Sequence, residues 1–446
     1  MNKLILKDND FQIAAEKFET IPHLTQKIAN KTLEEMSKEN LFVFPEVVAD
    51  SDDLIKEQMV LQSFNTSYRT SNLMGFIGFD QEKLTIQSRF SEDKKDFFFQ
   101  YLFSKVFDFP NLMDLTTTVN QDRQDVDMLY FLFPYYLEKA MRKGLYKTYV
   151  TCQKNDSQLK GVVEVARHLR ENSPFHGNIA YRQREFSSDN TLMQLVRHTI
   201  EAIQTKSAGR LILKKCSASV KAIIEATVSY HQSQRHQVML ANQKQPLRHA
   251  YFREYRELQR LCLFILQGVK NTLGDGHQKM YGVLFDGAWL WEEYVNLLIG
   301  DCFYHPMNKS GKGAQRLFTP TAGLIYPDFI SKSPELRIVA DAKYKRLDTI
   351  RSQDYSQVLT YMFRFDAKTG YYLYPEEVER ESQTFYLNTG SSYEKNVRAR
   401  TDISIIKLGL HIPRAATYEE FVSKMKLSED NFRERIGIAQ ANKQTD

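Results

Sequence analysis

The feature that most constrains the fold is an apolar run that ends in charged residues. Residues 337–345 read Arg-Ile-Val-Ala-Asp-Ala-Lys-Tyr-Lys, and their apolar part predicts a buried strand that ends at Asp341 and Lys343. Because side chains alternate along a strand, Asp341 and Lys343 share one face. Burying charged side chains at the end of a strand costs free energy, so their presence there indicates a function. The run therefore predicts an inner strand that presents a carboxylate and an ammonium group together.

A second carboxylate precedes this strand. The tripeptide Tyr-Pro-Asp ends at Asp328, and an apolar pair and a polar turn at residues 331–335 follow it. This spacing leaves room for a short strand, the turn and a return strand, so a hairpin can bring Asp328 opposite Asp341. Two carboxylates a few ångströms apart repel unless a cation lies between them, and hard oxygen ligands suit Mg²⁺. A lysine beside them can hold or deprotonate the water that attacks a phosphodiester.

Each half of this pattern also has a simpler interpretation. Pro-Asp is a common start of a turn, and Asp-x-Lys often lies on a solvated edge strand. The spacing of the two halves and the apolar run before Asp341 favour a catalytic pair. Gln357 and Tyr361 follow at positions i and i+4, so they share one helix face. Alone, that pair indicates only an ordinary amphipathic helix.

Composition places the chain among globular proteins. Its 446 residues are many for one core, and its contents of 42% hydrophobic and 26% charged residues are those of a folded, soluble protein. The four cysteines are widely spaced, which indicates neither a zinc site nor a disulfide framework. The N-terminus lacks the apolar stretch of a signal peptide, and no apolar run approaches the roughly 20 residues of a membrane span. The sequence predicts a cytoplasmic protein without a membrane partner.

Positive charge is concentrated in one part of the chain. Residues 206–270 contain 12 basic and three acidic residues, a net charge of +9, whereas the whole chain has a net charge of +5. Such a segment suits a surface that lies along phosphates, and it equally suits helices that face an acidic protein partner. The charge pattern leaves both interpretations open.

Secondary-structure patterns divide the chain into three predicted domains. Residues 1–115 predict a mainly β domain, residues 116–278 a helical middle region for partner or DNA contact, and residues 279–446 an α/β domain that holds the acidic strands. Within the middle region, short β-rich runs at 148–150 and 161–163 predict a small strand pair. The polar tail from Ser428 is predicted to fray.

A series of short stretches in a fixed order carries a resemblance to a known family: 75–78, 84–86, 144–149, 160–163, 184–191, 285–286, 291–295, 326–328, 341–345, 357–361 and 373–375. Taken in order, they resemble the McrC family, the nuclease subunit of McrBC-type restriction systems, and the PD-(D/E)xK nuclease superfamily. The chain departs from the family pattern in its longer N-terminus, in the basic segment 206–270, and in Lys160, where arginine is more usual.

The resemblance implies an α+β multidomain protein whose C-terminal PD-(D/E)xK core is built on a mixed sheet. It implies an endodeoxyribonuclease that depends on Mg²⁺, which Mn²⁺ can replace. The implied catalytic residues are Asp328, Asp341, Lys343 and Gln357, and the implied metal ligands are Asp328, Asp341, the Ala342 carbonyl and Glu292. Glu293, one residue further along the same predicted helix, is the rival of Glu292 as the third carboxylate.

The resemblance also implies a subunit that acts with a partner. Family members dock on an AAA+ McrB-like GTPase ring, stimulate its GTPase and cut double-stranded DNA. By resemblance, the segment around residues 70–200 engages the ring and the segment 206–270 lies along DNA. No phosphate-binding Gly-x-x-x-x-Gly-Lys-Ser/Thr loop occurs in this sequence, so nucleotide binding would belong to the partner. The alternative is a non-catalytic adaptor that regulates a ring NTPase through a nuclease-like fold.

Overall fold

The structure is a computed structural model, and it describes two compact units. The first unit consists of Met1–Met113 and Gln278–Asp446, and the second of Asp114–His277. No helix in the described part of the chain is long and apolar enough to cross a bilayer. The described residues are 2–36, 40–44, 58–92, 95–107, 121–206, 208–271, 280–306, 313–319, 322–333, 335, 337–346, 352–390 and 397–436.

The N-terminal part of the first unit is mainly β, as predicted. Its central hairpin turns at Asp80, whose φ of +50° is a left-handed conformation that aspartate tolerates. The elements are β1 (Asn2–Lys7), β2 (Ile13–Ala14), a 3-10 turn (Ala15–Thr20), α1 (Pro22–Ile28), α2 (Leu33–Met36), β3 (Asn40–Phe44), β4 (Leu61–Phe64), β5 (Ser67–Thr70), β6 (Leu73–Phe79), β7 (Glu82–Gln87) and α3 (Phe97–Val106). Every residue of β6 is buried, because both faces of this strand pack against apolar clusters.

The second unit is mainly helical. Its elements are α4 (Gln121–Met141), β8 (Thr148–Asp156), β9 (Val162–Val163), α5 (Val165–Glu171), β10 (Ile179–Ser187), α6 (Thr191–Gln204), α7 (Gly209–Lys214), α8 (Ser217–Ala226), α9 (Arg235–Lys244) and α10 (Arg253–Asn271), with 3-10 turns at Gln232–Gln234 and Ala250–Phe252. Helix α10 packs against α4 and α6. The predicted pairing of 148–150 with 161–163 is wrong, because β10 lies between β8 and β9 and pairs with both.

The C-terminal part of the first unit is α/β. Its elements are β11 (Tyr281–Asp286), α11 (Gly287–Ile299), β12 (Phe303–Tyr304), β13 (Gln315–Phe318), β14 (Ala322–Ile325), β15 (Phe329–Ser331), β16 (Ile338–Ala342), α12 (Ser352–Arg364), β17 (Thr369–Glu376), β18 (Gln383–Thr389), β19 (Arg398–His411) and α13 (Tyr418–Arg435). The predicted fraying from Ser428 is wrong as far as Arg435, because Met425 and Phe432 bury one face of α13 in the core. Residues beyond 436 lie outside the described part.

Strand β11 joins the two sequence segments of the first unit. It pairs in parallel with β3 and antiparallel with β6, which completes a five-stranded sheet in the order β1-β7-β6-β11-β3. The first and third domains predicted from sequence therefore share one sheet and one compact unit. The pairing could not be predicted locally, since β3 and β11 are separated by the whole second unit.

A six-stranded mixed sheet in the order β12-β15-β16-β17-β19-β18 positions the predicted site residues. Strands β16, β17 and β19 are parallel to one another, and β15 is antiparallel to β16. Val339 and Tyr372 pack toward α12 on one face, while Ala340 and Leu373 pack toward α11 and α13 on the other. Burial on both faces explains the continuous apolar run of β16 and confirms a mixed α/β architecture.

Candidate active site

The hairpin of β15 and β16 brings two acidic side chains together. Phe329 lies opposite Ala340 in the antiparallel register, so the preceding residue, Asp328, falls opposite Asp341. The Ala342 N–H donates a hydrogen bond to Asp328 Oδ2 at 2.9 Å, which holds the Asp328 side chain against β16. Asp341 is only 1% exposed, whereas Asp328 is half-buried. The structure therefore places both carboxylates at one point of the sheet, as their spacing predicts.

Lys343 lies beside this pair, on the same face of β16. Its Nζ is 2.9 Å from Asp341 Oδ2 and 3.8 Å from Asp354 Oδ1, and it donates a hydrogen bond of 3.1 Å to Gln357 Oε1. Its side chain is only 18% exposed. The ammonium group is therefore held between the carboxylate of Asp341 and the first turns of α12.

The Gln357–Tyr361 pair links α12 to the strand hairpin. Gln357 Nε2 donates to the Tyr361 hydroxyl at 2.7 Å, and that hydroxyl donates to the Tyr326 carbonyl at 3.0 Å. The two side chains share one helix face, as their spacing predicts. The chain of hydrogen bonds fixes the amide oxygen of Gln357 toward Lys343.

Electrostatic interactions couple these groups. Burial raises the pKa of Asp328 well above its usual value, and the negative charges of Glu292 and Asp341 raise it further. Burial also raises the pKa of Asp341, against the opposite effect of Lys343. Burial lowers the pKa of Lys343, but the negative charges of Asp341 and Asp328 outweigh burial and raise that pKa above its usual value. Burial and mutual repulsion therefore favour the protonated form of Asp328, while Lys343 and Lys345 favour the charged form of Asp341.

Helix α11 carries the two rival glutamates. Glu292 is 8% exposed, and its charge is strong enough at Asp328 to raise the pKa of that carboxyl. Glu293 is more exposed and accepts a hydrogen bond from Trp289 Nε1 at 3.2 Å. The electrostatics favour Glu292 as the third carboxylate of the site.

His305 belongs to the site and was missed from the sequence. Its Nδ1–H donates to the Asp328 carbonyl at 2.9 Å, its ring stacks on Phe329 at 5.0 Å, and its Nε2 is 3.8 Å from Glu292 Oε1. Burial lowers the pKa of His305, but the Glu293 carboxylate 3.9 Å away, the hydrogen bond to the Asp328 carbonyl and the charge of Glu292 outweigh burial and raise that pKa. No local motif marks this histidine, because only the non-local pairing of β12 with β15 brings it to Asp328.

The donor groups of the site fit a hard divalent cation. Asp341 Oδ2 is buried beside the Lys343 ammonium group, and Asp328 adds a second carboxylate on the facing strand. Mg²⁺ commonly binds through one or two carboxylates and keeps several waters. Among the residues the structure describes, no three His, Cys, Asp or Glu side chains are arranged to hold a metal together. Asp328 and Asp341 are therefore a pair of carboxylates, and Glu292 is a neighbouring carboxylate whose charge acts on Asp328.

The fold and site define the class: a mixed α/β protein with a buried carboxylate–lysine site at the carboxyl end of an inner strand, β16. Residues 68–375 match the family model of the McrBC 5-methylcytosine restriction system component. That match spans more than half of the chain, so the chain belongs to this family. It confirms the McrBC-type family predicted from the motifs.

Two solved structures are similar to this chain. A refined half-complex from the tetradecameric assembly of Thermococcus gammatolerans McrB AAA+ hexamers with bound McrC is 15% identical, with a TM-score of 0.45, and the match covers 98% of this chain and 100% of that chain. The cryo-EM structure of the Thermococcus gammatolerans McrBC complex is also 15% identical, with a TM-score of 0.30 and coverage of 67% and 87%. These low TM-scores carry no argument about the site. A comparison with curated proteins finds no match.

Proposed function

We propose that this chain is the endonuclease subunit of a McrBC-like restriction system and hydrolyses phosphodiester bonds of double-stranded DNA in the presence of Mg²⁺. Membership of the McrBC component family supports the restriction system. One observation carries the chemistry: buried Asp341 faces a second carboxylate, Asp328, across the β15–β16 hairpin, and Lys343 Nζ lies 2.9 Å from Asp341 Oδ2. A purely structural ion pair gains little from burial, since desolvation offsets most of the attraction.

The proposed nuclease core is of the PD-(D/E)xK type. Asp328 precedes β15, Asp341 and Lys343 lie at the end of β16, and Gln357 on α12 contacts Lys343. The sheet is mixed, with helices on both faces. These features are consistent with the core that the sequence motifs imply.

The side chains of the proposed site have different roles in hydrolysis. Asp328 and Asp341, with the Ala342 carbonyl, would hold Mg²⁺, which when bound polarises a phosphate oxygen and lowers the pKa of a bound water. Lys343 would hold or activate the attacking water, or stabilise the charge that develops on the phosphate. Gln357 accepts a hydrogen bond from Lys343 and so orients it.

We further propose an AAA+ McrB-like GTPase ring as the partner. The Thermococcus gammatolerans McrC is bound to McrB AAA+ hexamers, and we extend that arrangement to this chain. Within the segment 70–200, β6 is buried and unsuitable for docking. The sheet β8-β10-β9, its neighbour α5 and the loop that follows α5 instead expose several large apolar side chains, as a docking surface requires. These are Tyr149, Val162, Leu169, Phe175 and Phe186.

We also propose that the basic segment 206–270 contacts DNA. Arg210, Lys214 and Lys215 are exposed on and after α7, where they can reach phosphates. Several other cations of the segment form pairs with its few acids, such as Arg260 with Glu257 at 2.8 Å. An acidic protein surface is the alternative binding partner of this basic segment.

A paired assay tests the nuclease against the adaptor. Supercoiled plasmid is incubated with Mg²⁺, the ring subunit and GTP, and both plasmid cleavage and GTP hydrolysis are measured for wild type, Asp341→Ala and Lys343→Ala. We expect that, of the three proteins, only the wild type cuts the plasmid, while all three stimulate GTP hydrolysis equally. Near wild-type cleavage by either variant would refute the site assignment. A wild type that stimulates the GTPase but never cuts would favour the adaptor.

A further inference from the structure

We propose that Arg89 is a positioning residue for Lys343 and acts by holding the main chain at Tyr344. Arg89 follows β7 in the N-terminal part of the first unit, while Tyr344 comes directly after the candidate catalytic lysine. The proposal rests on the proposed nuclease function. It gives the N-terminal sheet a part in the chemistry that takes place on the C-terminal sheet.

Arg89 contacts Tyr344 in two ways. Its Nη1 donates a hydrogen bond to the Tyr344 carbonyl at 3.2 Å, and its guanidinium lies 4.4 Å from the centre of the Tyr344 ring. Arg89 is 5% exposed and Tyr344 is 3% exposed. Stacking and hydrogen bonding together use the planar geometry of a guanidinium, which a lysine cannot reproduce.

The guanidinium itself is rigidly held. Its Nε donates to Asp8 Oδ2 at 3.0 Å, its Nη2 also bonds that oxygen, and Nη2 donates to Asn72 Oδ1 at 2.8 Å. Asp8 is 1% exposed, so the ion pair lies inside the protein. Removing two charges from water costs free energy, and buried ion pairs often stabilise a fold no more than well-packed apolar side chains do. Because the pair lies beside Tyr344, we infer that it serves to hold the main chain there.

The contact with Tyr344 fixes the residue that carries the ammonium group. The Lys343 N–H donates to the Leu373 carbonyl at 2.9 Å, and the Lys345 N–H donates to the Lys343 carbonyl at 2.8 Å. Residues 343–345 therefore form a tight turn that β17 holds on one side and Arg89 on the other. The Tyr344 hydroxyl is also 3.1 Å from Ser88 Oγ, which ties the side chain to the same place.

Placement of the turn determines placement of Nζ. A lysine side chain has four rotatable bonds, so its ammonium position depends on where its Cα is held. A misplacement of about 1 Å in a catalytic group can cost about a hundredfold in rate. Arg89 touches none of the proposed reacting groups, so its effect on the rate would pass through the Lys343 main chain.

The decisive variant replaces the buried ion pair by apolar side chains, as Asp8→Leu with Arg89→Met. This double variant removes the hydrogen bond to Tyr344 and leaves no unpaired charge. We expect kcat for plasmid cleavage, measured with the ring subunit and Mg²⁺, to fall about tenfold or more. The KM for DNA and the stimulation of GTP hydrolysis should stay within about twofold, since the variant leaves the docking and DNA-binding surfaces unchanged.

Hydrogen exchange supplies a measurement that needs no cleavage. The peptide that spans residues 343–346 should exchange faster in the double variant, whereas the peptide that spans β17 should not change. Lys332→Met is the matched control, because Lys332 Nζ also holds a main-chain carbonyl, that of Gly300, at 2.7 Å. Lys332 lies at the opposite end of β15 from Asp328, and we expect this variant to keep both kcat and exchange.

Unchanged kcat and unchanged exchange in the folded double variant would overturn the proposal. If the double variant melts more than about 10 °C below wild type, Arg89→Lys decides in the same way, since it keeps the charge pair but not the fork that reaches Tyr344. A Lys343→Ala protein that cuts like wild type would instead overturn the proposed function, and the exchange result would still test the hold of Arg89 on the turn.

Discussion

Adding Mg²⁺ to the isolated protein should raise its melting temperature through the Asp328–Asp341 pair. Residues opposite each other on antiparallel strands have Cβ atoms about 5 Å apart. Two unit charges at about 5 Å repel by about 3 kcal/mol at an effective dielectric constant of about 20. Lys343 already offsets part of this repulsion, since its Nζ is 2.9 Å from Asp341. A bound cation would relieve the remainder and would also attract both carboxylates, and the stabilisation would be about 3 kcal/mol at about 100 times the Kd for Mg²⁺.

The corresponding shift is measurable by thermal unfolding. For a unit of this size, each kcal/mol changes the melting temperature by about 2 °C, so Mg²⁺ at about 100 times its Kd should raise the melting temperature by about 6 °C. The titration is run at constant ionic strength with K⁺ as the reference, because general screening also relieves repulsion. Asp341→Asn is the matched variant, since the amide keeps the shape of the side chain and removes its charge.

The outcome for Asp341→Asn is decisive. The variant should show no more than the shift that the matched K⁺ solution produces. An equal Mg²⁺ shift in wild type and variant would refute the assignment of the cation to this pair. So would the absence of any Mg²⁺-specific shift in the wild type.

Two further predictions concern the second unit. Changing Arg210, Lys214 and Lys215 to glutamate should weaken DNA binding without changing site preference. Because phosphate contacts release counterions, the change should also lower the salt dependence of the affinity, which titrations at several salt concentrations measure. Loss of GTPase stimulation with normal DNA binding would identify a protein interface instead. Burial lowers the pKa of His198 to about 4 in the folded protein, whereas an unfolded chain keeps the usual value of 6.5. As the pH falls below 6.5, His198 therefore binds a proton in the unfolded state and stays neutral in the folded state. Stability should therefore fall by about 2 kcal/mol between pH 7 and pH 5, and His198→Phe should remove that part of the pH dependence; identical profiles of melting temperature against pH in both proteins would contradict the assignment.

Local periodicity was enough to predict the core of the candidate site. Alternation along β16 put Asp341 and Lys343 on one face, and the length of the intervening turn brought Asp328 opposite Asp341. Helical spacing put Gln357 and Tyr361 on one face of α12. Each of these relations spans fewer than 20 residues, so the sequence contains the geometry directly. The chemical roles stay predictions.

Non-local pairing could not be predicted in the same way. His305 reaches Asp328 only through the register of β12 with β15, and a two-residue strand has no periodicity to detect. Strand β10 separates β8 from β9 although it comes later in the chain. The C-terminal helix did have a local signal: Phe421, Met425 and Phe432 recur on one face, but the polar residues between them obscured the pattern.

The place of β11 in the N-terminal sheet has a consequence for synthesis on the ribosome. Strands β1, β7 and β6 can pair as soon as they emerge, but β3 joins the sheet only through β11, which is made after the entire second unit. During that interval β6 presents an unpaired apolar edge, and such edges invite association with other nascent chains. The second unit has its own contacts and can fold while the first waits. Tyr344 is made 255 residues after Arg89, so translation of that whole stretch sets the earliest time at which the Asp8–Arg89 pair and the turn at Tyr344 can meet.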